Sequence, residues 1–184
     1  MFRHVEVDGQ RSFEDVSLVS GADSIQDGRA FAKLDLDWDG AVDLVLANSN
    51  SPRAELYQNQ HTSEHGGALW VDLVGSAREQ RSEGMRTNRD AIGARVIATL
   101  ESGTVLHRER RAGEGFASQN TRWIHLGLGA HRAAESIEVR WPSGVVTRID
   151  QPVEVNQRIR IYESSSDSPT RSNLELVGAL AGPR

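Results

Sequence analysis

The 184-residue chain contains no cysteine and only one lysine. The absence of cysteine excludes disulfide scaffolds, cysteine-ligated zinc, iron–sulfur clusters and thiol catalysis. Long apolar runs are also missing, because Glu175 and Gly178 interrupt the longest one near the C-terminus. A membrane-spanning helix needs about 20 apolar residues, so no membrane insertion is expected. The first residues, MFRHVEVDGQRSFEDV, have no apolar core flanked by basic residues, which predicts that no signal peptide is present.

What the chain does contain is typical of a folded protein: 38% hydrophobic and 26% charged residues, with a net charge of −5. The negative charge argues against a nucleic-acid partner. Residues 1–60 carry 11 acidic and 5 basic side chains, whereas residues 61–163 carry 13 and 14. This change, together with the polar stretch HTSEHGG, predicts a first module at 1–60 and a second at 68–163. Residues 164–184 begin with SSSDSP and are expected to form a flexible tail.

Apolar residues recur with a period of two in both modules, and no window shows a sustained helical stripe. Pro142-Ser143-Gly144 is typical of a hairpin turn. Residues 77–88 are charged and contain glycine, which predicts a long exposed loop. The fold class is therefore predicted to be all-β, with strands at 29–34, 42–47, 69–73, 94–100, 137–141, 145–149 and 159–161.

The strongest chemical signal is an aspartate-rich loop with the sequence DLDWDGAVD, from Asp35 to Asp43. Carboxylates at positions 1, 3, 5 and 9, with glycine at position 6, suit a hard cation, and calcium is favoured over magnesium. Position 12 is Leu46 rather than glutamate, so the loop is not an EF-hand. A solvated acidic turn without metal is the alternative. The predicted ligands are the carboxylates of Asp35, Asp37, Asp39 and Asp43 and the carbonyl of Ala41.

Other candidate sites are weaker. His61 and His65 precede two glycines in the predicted linker, which favours solvated histidines over a metal site. Arg108 and Arg110 share one strand face and could meet an acidic ligand, although a solvated face is the more ordinary interpretation.

The loop GEGFASQN, residues 113–120, is compatible with recognition of a sugar or peptide or with a structural turn. We expect Phe116 to pack against the strands, and Gln119 and Asn120 to be exposed as candidate ligand-binding residues. Ser118 lacks the context of a nucleophile elbow.

Two family resemblances follow from these motifs. The stretch from Phe13 through the aspartate loop to Asn59 resembles one FG-GAP/VCBS repeat, a calcium-loop-bearing blade of a β-propeller. The second module resembles an ASPIC/UnbV domain, and the order of the two is similar to the C-terminal end of cartilage-acidic-protein-like proteins. The motifs that carry the second resemblance are NRDAIGAR, GEGFASQN, HLGLG and VRWPSG at residues 88–95, 113–120, 125–129 and 139–144.

The resemblance implies a propeller-type repeat beside a β-sandwich-like domain, and an extracellular or periplasmic location. One blade cannot bury both faces, so packing with additional propeller blades or a second chain is expected. The predicted function is a non-catalytic, calcium-stabilised interaction module that binds protein or glycan partners within a larger exported protein. The alternative is an enzyme or accessory protein of a bacterial biosynthetic operon. We find no nucleophile, base and orienting residue in the sequence that would support catalysis.

Overall fold

The structure of the chain, a computed structural model, describes residues 2–60, 66–76, 87–163 and 173–181. These residues form fourteen β-strands and one helix of four residues, which confirms the predicted all-β class. No helix in this part of the chain has the length and apolar character needed to span a bilayer. The predicted histidine linker at 61–65 and most of the predicted loop at 77–88 lie outside the described residues.

Residues 2–60 form a hairpin, a short helix and a three-stranded antiparallel sheet. The hairpin was not predicted from the sequence. Nearly all of its residues are exposed on both faces, so its sequence has no alternation of apolar and polar residues. The elements are β1 (Phe2–Val7), β2 (Gln10–Asp15), α1 (Ser17–Ser20), β3 (Gly28–Leu34), β4 (Asp43–Asn48) and β5 (Ala54–Tyr57).

The rest of the chain forms two sheets. The first contains β6 (Gly67–Val74), β9 (Ile124–Gly129), β13 (Gln157–Tyr162) and β14 (Leu174–Ala179), in the order β14-β13-β6-β9. The second contains β7 (Arg95–Leu100), β8 (Val105–Glu109), β10 (Ala133–Arg140), β11 (Val146–Ile149) and β12 (Val153–Glu154). Strands β6 and β13 pair in parallel, and every other pairing is antiparallel. The predicted turn at residues 142–144 connects β10 and β11.

The two sheets pack face to face through one hydrophobic core, as expected for a sandwich-like second module. The alternation in β6 directs Leu69, Val71 and Leu73 into this core. Trp70 and Asp72 lie on the opposite face of the same strand, yet each is only 2% exposed. Strand β6 is therefore covered on both faces, and part of the second cover comes from the first region, as described below.

The C-terminal strand departs from the prediction. Residues 164–184 were expected to be a flexible tail, but β14 pairs along β13 and Leu180 is buried. The physical reason is that β14 occupies the edge of the sheet beside β13, and Leu174 packs against the core. Residues 164–172 and 182–184 lie outside the described part. The expected exposure of the 77–88 loop also fails at Thr87, which is fully buried.

Candidate functional site

The aspartate loop connects β3 and β4, as the sequence predicts. Asp35 follows the last residue of β3, and Asp43 is the first residue of β4. One oxygen from each of Asp35, Asp37 and Asp39 lies within 4.8 Å of the other two. These three carboxylates could hold one metal ion, and their oxygen atoms are the donors that hard cations prefer.

Backbone N–H groups fold the loop around Asp35. Its Oδ1 accepts a hydrogen bond from the Asp39 N–H at 3.1 Å, and its Oδ2 accepts one from the Gly40 N–H at 2.9 Å. Burial raises the pKa of Asp35, the Gly40 N–H opposes this, and the neighbouring Asp39 charge raises the pKa further. The ionised form is thus disfavoured here, and a bound cation would relieve that cost.

Asp37 provides the observation that fits a metal. Its Oδ2 accepts a hydrogen bond from Gln58 Nε2 at 2.6 Å. Its Oδ1 is buried and has no hydrogen-bond partner in the described part of the chain. A buried acceptor without a donor costs about 1–3 kcal/mol, and a cation among the three carboxylates would satisfy it. The residues present therefore fit a hard cation.

Asp43 and Ala41 are placed differently from the other predicted ligands. Asp43 is 1% exposed, and its two oxygens accept hydrogen bonds from the N–H groups of Asn59 and Leu36, both at 2.8 Å. It joins the loop to the chain that follows β5 and is not part of the three-carboxylate group. Ala41 is buried, and its N–H donates to Asp39 Oδ1 at 2.8 Å.

Trp38, in the middle of the loop, attaches the first region to the second. Its ring makes edge contacts with Trp70 and Trp123, with centroids 6.4 and 5.6 Å apart. The guanidinium carbon of Arg158 lies 4.5 Å from the centre of the Trp38 ring, in a cation–π contact. The residue has a φ of 60°, a conformation that L-residues rarely adopt, so the loop aims this side chain specifically.

Hydrogen bonds support the same attachment. The Ala181 N–H donates to the Trp38 carbonyl at 2.6 Å, and His125 Nε2 lies 3.1 Å from the Gly40 carbonyl oxygen. The sequence analysis did not assign Trp38 a role. A signal was present, because a large aromatic residue is unusual between the carboxylates of a solvated turn.

Two residues of the GEGFASQN loop are placed differently from the prediction. Phe116 was expected to pack but is 79% exposed. Asn120 was expected to be free for a ligand, but its Oδ1 accepts from the Lys33 N–H at 2.8 Å and its Nδ2 donates to Glu114 Oε2 at 2.7 Å. The Thr121 N–H also donates to the Lys33 carbonyl. Asn120 therefore ties this loop to β3.

Gln119 is exposed, as predicted, but its side chain is also used within the loop. Its Oε1 accepts a hydrogen bond from the Gly113 N–H at 2.7 Å, and its Nε2 donates to the Asn120 carbonyl at 3.2 Å. These bonds give Gln119 a role in closing the turn, whatever else it contacts.

Buried carboxylates elsewhere are satisfied by ion pairs or by hydrogen bonds. Asp72 is buried on the outer face of β6, where its Oδ1 and Oδ2 pair with Arg122 and Arg160, both at 2.8 Å. Glu163 accepts hydrogen bonds from the Ser76 N–H and from the Thr87 hydroxyl. Both carboxylates connect strands and have the partners that their burial requires.

One contact between a serine and a histidine resembles part of a catalytic arrangement. Ser102 Oγ lies 3.3 Å from His131 Nε2 at the exposed turn after β7. No carboxylate in the described residues lies within hydrogen-bond distance of His131 to orient its ring. The pair therefore lacks the third member that a catalytic triad uses.

The comparison with family models finds a match within the second region. Residues 84–168 match the family described as ASPIC and UnbV. The second region is therefore similar to an ASPIC/UnbV domain over these residues. The match begins before β7 and extends past β13, so it includes all five strands of the second sheet and strands β9 and β13 of the first, but not β6 or β14. None of the curated proteins matches the chain significantly.

Proposed function

We propose that the chain is a non-catalytic, calcium-stabilised interaction module of a larger exported protein, binding protein or glycan partners. The observation that carries the proposal is the buried, unpartnered Oδ1 of Asp37 beside the carboxylates of Asp35 and Asp39. The FG-GAP/VCBS resemblance of the first region supports the choice of calcium, and the ASPIC/UnbV domain supports a place within a larger protein.

Calcium suits this loop better than magnesium. The ligands are oxygens on a nine-residue loop with a glycine turn, a flexible set that can supply an irregular shell of six to eight donors. Magnesium demands a nearly ideal octahedron and retains its waters. Asp35, Asp37 and Asp39 would hold the ion. The three negative charges would then stop repelling one another.

The consequence of binding follows from the position of Trp38. This residue lies between two of the three carboxylates, and its ring contacts the second region. An ion that orders the carboxylates also orders the backbone that aims the Trp38 ring. Calcium would therefore stabilise the attachment of the first region to the ASPIC/UnbV domain.

Thermal unfolding with calcium, with magnesium or with a chelator tests the proposal. The melting temperature should rise with calcium, because a ligand at 100 times its Kd stabilises the folded state by about 2.7 kcal/mol. Asp37→Asn should remove the rise in melting temperature with calcium, since it removes the negative charge of the side chain whose Oδ1 has no partner. In the presence of chelator this variant should be as stable as the wild type or more stable, because the repulsion among the three carboxylates is reduced.

Asp23→Asn is the matched control, since Asp23 is an exposed aspartate of the same region outside the cluster. It should keep the full calcium response. A melting temperature that is indifferent to calcium up to about 10 mM, roughly ten times the weakest Kd of extracellular modules, would refute the calcium site.

A further inference from the structure

A groove of about 290 Å³ lies where the first region meets the ASPIC/UnbV domain. Its volume is near the lower end of the range for small-molecule sites, about 300–1,000 Å³. Lys33 and Val42 line it from the first region, and Trp70 of β6 and residues of β8, of β9 and of the loop between β8 and β9 line the rest. The groove therefore exists only when the first region is attached to the second, and Trp38 contributes to this attachment.

Three cations line the groove without a carboxylate partner. No carboxylate of the described residues lies within 4.0 Å of the charged groups of Lys33, Arg108 or Arg110. Arg108 donates to the His125 and His107 carbonyls, and Arg110 donates through Nη1 to the Arg111 carbonyl. These bonds leave Nη2 of Arg108, and both Nε and Nη2 of Arg110, without an acceptor in the described part.

Arg110 is also in an unfavourable environment for a cation. It is half-buried, and its pKa is lowered by that burial and by the neighbouring Arg122, which together outweigh the opposing charges of Asp90, Asp72 and Glu114. A bound anion would offset both effects. Arginine is suited to this task because its planar guanidinium group can bind a carboxylate through two parallel hydrogen bonds.

The other lining residues indicate what else the ligand carries. The half-buried ring of Trp123 provides an apolar surface, and Glu114 provides an acceptor for a hydroxyl group, whereas Glu109 pairs with Arg111. Glu114 uses Oε2 for Asn120, which leaves Oε1 for a ligand. An acidic peptide offers few hydroxyl groups to such an acceptor, whereas a polyhydroxylated ligand with one negative charge per unit matches both the cations and the acceptor.

We propose that this groove binds a carboxylate-bearing saccharide, with Arg108 and Arg110 holding the carboxylate, Glu114 accepting from a hydroxyl and Trp123 packing on the sugar ring. The inference deepens the proposed function, because it gives the interaction module a ligand class and a site. It rests on the non-catalytic character of the module and not on the calcium site.

Isothermal titration with trigalacturonate tests the inference. The titrations are run in chelator, because oligouronates themselves bind calcium, and at a temperature well below the melting transition of the chelated protein, so that the first region stays attached whether or not the calcium site exists. Trigalacturonate should bind, and neutral galactose trimers should bind at least about tenfold more weakly. Arg110→Gln and Arg108→Gln should each weaken trigalacturonate binding by about tenfold, while each variant retains the wild-type melting profile.

Arg11→Gln is the matched control, since it removes the same charge from an exposed strand outside the groove and should leave affinity unchanged. Equal binding of the neutral trimer, no binding of trigalacturonate, or unchanged affinity in both groove variants would overturn the inference. Equal or tighter binding of hexaglutamate would overturn the saccharide assignment in favour of an acidic peptide, and equal binding of inorganic sulfate would indicate an adventitious ion only. The calcium response of wild type and Asp37→Asn is read separately by thermal unfolding.

Discussion

The two regions of the chain are ordered by different means. Residues 66–163 and 173–181 contain all the large apolar side chains that are buried in the described structure. Residues 2–60 contain five buried residues, and none of them has a large apolar side chain. The five are Asp35, Gly40, Ala41, Asp43 and Asn48, so four of them belong to the aspartate loop. The second region folds around a hydrophobic core, whereas the first is organised by a polar loop that docks on its neighbour.

The apolar residues of the first region are mostly turned outward. Phe2, Phe13, Leu18, Val19 and Ile25 are 69–93% exposed. Exposed apolar surface of this kind marks an interaction face when it is contiguous. The expectation that this region packs against further blades or a second chain remains a prediction, and the contrast with the second region is its physical basis.

The largest expected effect is the loss of stability when a leucine is replaced by alanine in the second region, compared with the same replacement in the first. Leu126→Ala, in the centre of the core, should lower the free energy of unfolding by about 2–5 kcal/mol, because it removes fully buried methyl groups. Leu18→Ala, at a residue 80% exposed, should change it by less than about 0.5 kcal/mol. Urea unfolding of both variants measures the difference. If the two substitutions cost the same, Leu18 is buried against another molecule in solution. The contrast in apolar burial between the two regions would then apply only to a single chain.

Trp38→Ala should have the next largest effect, and only on the first region. It removes two edge contacts between aromatic rings and a cation–π contact, worth together about 2 kcal/mol. Limited proteolysis should then cut residues 2–60 faster, while the two sheets of the second region stay protected. Trp38→Phe is the control, since it keeps an aromatic ring and should retain part of the protection.

If residues 2–60 of Trp38→Ala are as resistant to protease as those of the wild type, the first region does not depend on docking. Loss of protection throughout the chain would show instead that the two regions unfold together.

Elements with one buried face could be predicted from the sequence. Strands such as β7 and β10 alternate apolar and polar residues because one side faces the core. Strands β1 and β2 could not be predicted this way, since nearly all their residues are exposed. Strand β14 was missed for another reason: its place beside β13 depends on pairing across a segment of the chain, which local composition does not show.

The candidate site shows the same limit. The spacing of Asp35, Asp37 and Asp39 was enough to predict that their carboxylates converge. Spacing could not show that Asp43 binds two backbone N–H groups instead of a metal. An ionised carboxylate can accept hydrogen bonds from such groups as well as bind a cation. The contacts of Trp38 were also out of reach, since its partners come from strands distant in the chain.

The smallest expected effect tests the corrected arrangement of the GEGFASQN loop. Asn120→Ala should cost about 1–2 kcal/mol, because it leaves the Lys33 N–H without its acceptor at the junction between the regions. Phe116→Ala should cost less than about 0.5 kcal/mol, because the ring is 79% exposed. Urea unfolding again gives both values. A costly Phe116→Ala beside a neutral Asn120→Ala would mean that the ring packs inward, and that the link between β3 and this loop does not contribute to joining the two regions.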